Sequence, residues 1–472
     1  MLKSSSYYTM ANVIPQAIGF LLLPIYSQYM SPAQYGIVAS METLAYMFAI
    51  LFTLGLERAA QRFYFDSKDI EQRKVILGTF FCASLILSAL FVAFAFASAP
   101  ILGLTFREID FFPYFALTII VSGLNSASLV TTMYYQVSEQ PLKYLILNVS
   151  RAVLSFLLII WFVMVQREGA QGQLWAQLAC ALIFLPVYLF ISGKNFRWKI
   201  DITVLKQGLS YSWPFIPTIL VAWVLTYSDR IFIEQMVNLE ALGVYSMAYK
   251  LSMALLILTS SIQMAYTPVF YKIANSDDQV EAKARLRAYG NSIAYIFVLL
   301  CFFVALFANE VIVYMLDEKY SESIDMIRLL VYGHLLSAIM GATSVLYLMQ
   351  AKLTRVNMYT SIFAALLNIA LNFLLIPEYG VFGAVYATLI SLVMLVILHF
   401  QVSKKGYFIS VNWPAILGLI ALSIGILVFF QILVEPNALI SMASKVVFSL
   451  VAGIYLFRNK ERLLRSIGVT FK

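Results

Sequence analysis

The chemistry open to this chain rests on the few ionisable side chains inside its long apolar stretches. Lys250 lies in the stretch 241–267, with Ser246, Met253 and Ile257 on one helical stripe. Arg151 shares a face with Asn148 and Ser155, because residues three or four apart in a helix lie one above another. Arg58 and Arg62 stand one turn apart just beyond the stretch 36–56. Cations in such places suit an anion with several oxygens, and a guanidinium adds a planar fork of donors. Each also has a plainer use. Lys250 can snorkel to the interface or pair with an acid, Arg151 can anchor a lipid phosphate, and Arg58 and Arg62 can be ordinary loop charges. Arg328 has Asp325 one turn earlier as an intrahelical partner. Glu42, four residues before Tyr46, is the main carboxylate inside a stretch. Desolvation favours the protonated form of a buried acid, so Glu42 could exchange a proton or serve as a structural hydrogen-bonding group. Asp229 and Arg230, near Glu234, read as a gate or interfacial cluster and not as a catalytic pair.

Polar residues at helical spacing accompany these charges. Asn12 and Gln16 form one stripe, Asn125 belongs to a second, Tyr245, Tyr249 and Gln263 to a third, and Asn368 and Asn372 to a fourth. Any one of them could hydrogen-bond between helices. Together they favour a hydrophilic cavity whose tyrosines offer flat faces.

The elements that must position these groups follow from composition. The chain has 472 residues, 62% hydrophobic and 12% charged, against roughly 25% charged in soluble domains. Its hydrophobic segments make about fourteen membrane spans, since a span needs roughly 20 apolar residues. The expectation is an all-α integral membrane protein. Most of the 32 Lys and Arg fall in alternate gaps between spans, among them Arg73, Lys74, Lys199, Lys272, Arg287, Lys404 and Arg462. Basic residues collect in cytoplasmic loops, so both termini are expected in the cytoplasm and the +8 net charge mainly records topology. No nucleic-acid motif accompanies the charge. Cys82, Cys180 and Cys301 all fall inside apolar segments, which leaves no disulfide framework or metal-ligand spacing. The first segment lacks a small-residue cleavage site and reads as a retained helix. His334 and His399 form no motif, and no phosphate-binding glycine loop is present.

Two weak internal repeats organise the spans. One shift carries Gly36 onto Gly243, Phe63 onto Phe270 and Tyr64 onto Tyr271. A nearly equal shift carries Gly169, Gly172, Ala176 and Leu178 onto Gly380, Gly383, Ala387 and Leu389. These offsets predict two pseudo-symmetric six-helix lobes, 1–195 and 205–403, with two C-terminal helices and a cytoplasmic tail over 404–472. Pro15 and Pro24 in the first helix and Pro214 and Pro217 in the seventh are expected to remove helical hydrogen bonds and let those helices bend.

The run Gly208-Leu209-Ser210-Tyr211-Ser212-Trp213-Pro214-Phe215-Ile216-Pro217, with Ser228-Asp229-Arg230 and Gly243-Val244-Tyr245-Ser246, resembles the polysaccharide transporter family. Leu23-Pro24, Tyr35-Gly36, Leu54-Gly55-Leu56 and Tyr379-Gly380-Val381 agree with it. Such proteins include O-antigen and capsule repeat-unit flippases of the multidrug/oligosaccharidyl-lipid/polysaccharide (MOP) superfamily. The resemblance implies translocation of an undecaprenyl-diphosphate-linked oligosaccharide to the outer leaflet of a bacterial inner membrane, through a central cationic cavity by alternating access. It implies membrane lipids as partners, with a polymerase and a chain-length regulator of the same pathway. It implies no cofactor, the energy coming from a proton or other ion gradient or from downstream consumption. The alternatives are a lipid II flippase, a multidrug exporter of the same superfamily and, in a different class, a membrane-embedded polymerase or ligase. Cations outnumber acids within the spans, which disfavours the exporter, and the short external gaps disfavour the enzyme. Single cysteines placed at Lys272 and Lys404 should react with impermeant thiol reagents only from the cytoplasmic side. Labelling from outside would overturn the topology.

Overall fold

A computed structural model of the chain describes residues 2–101, 106, 108–404, 407–433 and 441–449. The described residues are helical with connecting turns and no strand. Thirteen of their helices are long and apolar enough to cross a membrane. The expected fourteenth span, 441–457, is helical over 441–449, and its remainder lies outside the described residues. Large apolar side chains such as Phe190, 74% exposed, and Phe373, 63% exposed, line the outer faces. That surface suits lipid, where a helix satisfies its own backbone hydrogen bonds.

Local signals start several helices. Ser31 and Gln34 form a reciprocal capping box around Pro32, with both hydrogen bonds at 3.2 Å, and open the helix Pro32–Thr53. Asp69, Asp201 and Asp278 cap the helices beginning at Ile70, Ile202 and Gln279. Three expected spans are interrupted. The stretch 208–228 divides into Ile202–Ser212 and Phe215–Met236. Pro214 has no N–H for the carbonyl one turn back, so the first helix ends there. Pro217 then occupies the first turn of the next helix, where N–H groups have no intrahelical partner in any case. Neither proline therefore removes an internal hydrogen bond, contrary to expectation, whereas Pro15 and Pro24 do lie inside Leu2–Tyr29. The stretches 241–267 and 324–349 break at Met253 and Thr343, which contain no proline. There the hydroxyls of Ser252 and Thr343 donate to the carbonyls of Tyr249 and Ile339 at 2.6 and 2.7 Å, a back-bond that bends helices. Arg58 and Arg62 lie on a short amphipathic helix, Leu56–Tyr64, whose Leu56, Ala59 and Ala60 are buried, and not in a plain loop.

Contacts divide the chain into two compact units, Met1–Ser246 and Met247–Lys472. In the first, the helix Ala116–Val137 packs on Ile70–Ala97, Gly169–Asn195 and Pro32–Thr53, around a core that includes Phe80, Phe81, Val130 and Phe184. In the second, Thr354–Tyr379 and Val381–Ser403 form an antiparallel pair, and Phe302, Leu427 and Phe430 gather in a smaller core. Lys445, fully buried, donates to both carboxylate oxygens of Glu310 at 2.8 and 3.1 Å, and Ser441 adds a third hydrogen bond. This network holds the 441–449 helix on the unit. A buried ion pair needs such extra hydrogen bonds to offset its desolvation.

A close backbone approach in the first unit joins Pro32–Thr53 and Leu239–Ser252. A Cβ at Gly36 would stand 2.1 Å from the carbonyl oxygen of Leu239, and one at Gly243 would stand 1.8 Å from that of Pro32. The two glycines superimposed by the internal repeat are the two that meet. Gly243→Ala should destabilise the folded protein by about 1–3 kcal/mol or more, because the neighbours are backbone and cannot rotate away. Gly19→Ala, with nothing within 4 Å, should have no such effect. Thermal unfolding in detergent of the two variants checks this.

Candidate functional site

Four helices of the first unit enclose a cavity of about 440 Å³. Pro32–Thr53 contributes Glu42, Tyr46 and Thr53; Ala116–Val137 contributes Ser122 and Asn125; Pro141–Ile159 contributes Arg151 and Ser155; and Gly169–Asn195 contributes Gln177. Arg151 Nη2 donates to Asn125 Oδ1 at 2.7 Å. Asn125 thereby fixes the guanidinium while accepting only one of its five N–H groups. Glu42 lines the same cavity, and Gln173 Nε2 approaches its Oε1 at 3.5 Å. A cation and a carboxylate therefore share one polar chamber inside membrane-spanning helices.

A second cavity of about 430 Å³ shares Tyr46, Ala49, Thr53 and Leu129 with the first. Its walls include Trp223, Thr226 and Tyr227 from Phe215–Met236, together with Glu57 and Arg58 from Leu56–Tyr64. Tyr46 and Tyr227 stack with centroids 4.8 Å apart and an interplanar angle of 23°. Trp223 Nε1 donates to the Thr43 carbonyl at 3.0 Å, which fixes its ring. Arg58 lies over the Phe215 ring at 5.5 Å and 4.0 Å from Glu57.

Asp229 and Arg230 are buried outside both cavities. Asp229 accepts from the Tyr245 hydroxyl and from the Arg230 N–H, and the two side chains lie 3.7 Å apart. Arg230 Nη1 donates to the Thr226 carbonyl at 2.7 Å, and its guanidinium lies 4.8 Å from the Tyr227 ring centre. Ser40 donates to the buried Glu234. These groups form a buried, hydrogen-bonded cluster behind the Thr226 and Tyr227 wall of the second cavity.

The structure thus brings together Arg151, Asn125 and Glu42, and places Arg58 in the adjoining cavity. It leaves the other expected residues elsewhere. Lys250 is half-buried on Leu239–Ser252 and lines neither cavity. Arg328 pairs with Asp325 at 3.1 Å, the intrahelical partner expected from spacing. Arg62 pairs with Asp66 on an exposed surface. Asn12 and Gln16 are exposed on the first helix, with Tyr144 reaching Asn12 at 3.4 Å. Tyr245 is buried on Asp229, and Tyr249 is buried edge-on to His334. Gln263 donates to the Ala338 carbonyl at 3.1 Å, and Asn372 donates to Asn368 at 3.1 Å with both residues buried.

Gln173, Gln177, Glu57, Trp223 and Tyr227 are functional candidates that the charge-led reading of the sequence passed over. The spacing of Gln173 to Gln177 and of Trp223 to Tyr227, each one helical turn, was the available signal.

Residues 26–325 match the family described as Polysaccharide biosynthesis protein. The chain is 24% identical over 277 residues to the Lsg locus putative protein 1 of Haemophilus influenzae, and the match covers 57% of this chain and 66% of that relative. The chain therefore spans just under two thirds of the length of that curated relative. Among solved structures it resembles the lipid II flippase MurJ in an inward closed conformation, with a TM-score of 0.73, 12% identity and coverage of 97% of this chain and 100% of that one. It also resembles an inward-facing multidrug resistance MATE transporter of the MOP superfamily, with a TM-score of 0.67, 15% identity and coverage of 87% and 98%. At such identities the likeness carries the fold alone.

Proposed function

The chain belongs to the polysaccharide biosynthesis protein family, and from that premise we propose that it flips an undecaprenyl-diphosphate-linked oligosaccharide from the cytoplasmic to the outer leaflet of a bacterial inner membrane. The observation that carries the reading is Arg151, held by Asn125 on the wall of a polar cavity within the spans. A guanidinium costs several kcal/mol in hydrocarbon, so its position in a chamber calls for an anionic occupant. A diphosphate supplies paired oxygens for the remaining N–H groups, and the lipid tail stays in the bilayer. Both termini face the cytoplasm, and the lobes 1–195 and 205–403 expose the site to each side in turn. Glu42, in the same chamber, exchanges a proton during the cycle. A polymerase and a chain-length regulator take up the product.

Loss of a hydrogen bond to a charged group, worth about 1.5–3 kcal/mol, sets the scale of the first test. Arg151→Ala should weaken binding of the lipid-linked glycan roughly 10- to 100-fold, with the glycan accumulating on the inner leaflet at unchanged protein abundance. Lys250→Ala, which alters neither cavity, should have a smaller effect on export. Surface polysaccharide at the wild-type level in the Arg151 variant would remove that residue from the site. In proteoliposomes, Glu42→Gln should abolish the dependence of transport on a pH gradient while glycolipid binding persists. Retained dependence would end the coupling role.

A further inference from the structure

The second cavity has a construction that anion binding does not require. One wall is aromatic, and its rings are held in place. Tyr46 stacks on Tyr227, Tyr227 also carries the Arg230 guanidinium, and the Trp223 N–H is tied to the Thr43 carbonyl. Tyr46 nevertheless remains 52% exposed, so the platform keeps an open face. Side chains that exchange hydrogen bonds stand at its border: Thr53, Thr226, Glu57 and Arg58.

Glu57 is the most informative of these. Its Oε2 atom is buried and has no hydrogen-bond partner among the described residues. Arg58 comes no nearer than 4.0 Å to the other carboxylate oxygen. Burial pushes the Glu57 carboxyl above its ordinary range, opposed by a backbone N–H of its own helix start, by Arg58 and by the Thr53 hydroxyl. One carboxylate oxygen therefore lacks a donor among the described residues. A buried acceptor left unpaired costs about 1–3 kcal/mol, and neighbouring hydroxyls on one ligand would satisfy both oxygens together.

We infer that Tyr46, Trp223, Tyr227 and Glu57 form a pyranose subsite that binds a sugar of the cargo beside the diphosphate position at Arg151. The inference rests on the flippase reading of the adjoining cavity and deepens it. A pyranose presents an apolar C–H face and a rim of hydroxyls. The face covers the open Tyr46 ring, and the rim meets Glu57 and the threonines. Because the two cavities share Tyr46, Ala49, Thr53 and Leu129, a diphosphate and the sugar attached to it reach both at once. A lipid tail would leave the buried Glu57 Oε2 unsatisfied. An organic cation would be drawn to the rings and to Glu57, but Arg58 and Arg151 on the same walls oppose it.

The test measures binding of three probes to the full chain in nanodiscs: lipid-linked oligosaccharide extracted from producing cells, undecaprenyl diphosphate without sugar, and tetraphenylphosphonium. Tyr46 is half exposed and its main ring contact is the stack on Tyr227, so Tyr46→Ala removes little core packing. It should weaken glycolipid binding about tenfold, the scale of one sugar face buried on one ring. Undecaprenyl diphosphate, which has no sugar to lose but meets Tyr46 at the edge of the Arg151 cavity, should weaken by no more than about twofold, and Tyr46→Phe should stay within about twofold of wild type for both lipids. Glu57→Gln should likewise weaken the glycolipid selectively. Equal loss for both lipids, no loss for either, or tighter binding of tetraphenylphosphonium than of the glycolipid would overturn the subsite. Failure of the wild-type chain to bind either lipid would overturn the flippase reading first, and the subsite with it.

Discussion

A charged side chain within a hydrocarbon slab must find a partner, a network or a wet cavity, at a cost of about 2.5–3.5 kcal/mol or more if it does not. That constraint sorts the ionisable groups of this chain into two kinds. Asp229 with Arg230 and Tyr245, Glu234 with Ser40, and Lys445 with Glu310 and Ser441 are buried and bonded to one another. They fasten helices together. Arg151 and Glu42 instead line a chamber, Arg151 bonded to Asn125 and Glu42 approached by Gln173. The first kind builds the scaffold, and the second is the kind on which the proposed cargo site rests.

The scaffold also depends on close backbone approach. Where Pro32–Thr53 crosses Leu239–Ser252, two facing glycines let each helix come within van der Waals reach of the other's carbonyls. Small residues at such crossings replace the hydrophobic driving force that lipid cannot supply. The same helix Pro32–Thr53 carries Glu42 and Tyr46, so the crossing and both cavities are positioned by one element. Its start is fixed by the Ser31–Gln34 capping box, which sets the register of the cavity residues relative to the glycine contact.

In the proposed function the two adjoining cavities divide recognition as a phosphorylated sugar would require. One offers a guanidinium fixed by an amide; the other offers held rings and an unpaired carboxylate oxygen. A cargo with an anionic end and a saccharide end can use both, whereas a simple apolar or cationic molecule can use only part of either. The chain belongs to a polysaccharide biosynthesis family, and its fold resembles that of the lipid II flippase MurJ.

Composition and periodicity determined the fold class, because apolar segments of span length have few other stable arrangements. The Arg328–Asp325 pair was legible as well, since it depends only on one turn of helix. The sequence exposed Arg151, Asn125 and Glu42 as candidates, together with Lys250 on equal terms. Depth in a segment says nothing about which way a side chain turns once helices pack. Lys250 lies outside both cavities, and Trp223, Tyr227 and Glu57 enter one through crossings between segments distant in the chain. The helix breaks at Met253 and Thr343 were equally hidden, because they coincide with hydroxyl back-bonds and not with proline. Local chemistry thus determined which residues could act, and only tertiary packing decided which of them share a chamber, since that depends on helix rotation and crossing that no single segment encodes.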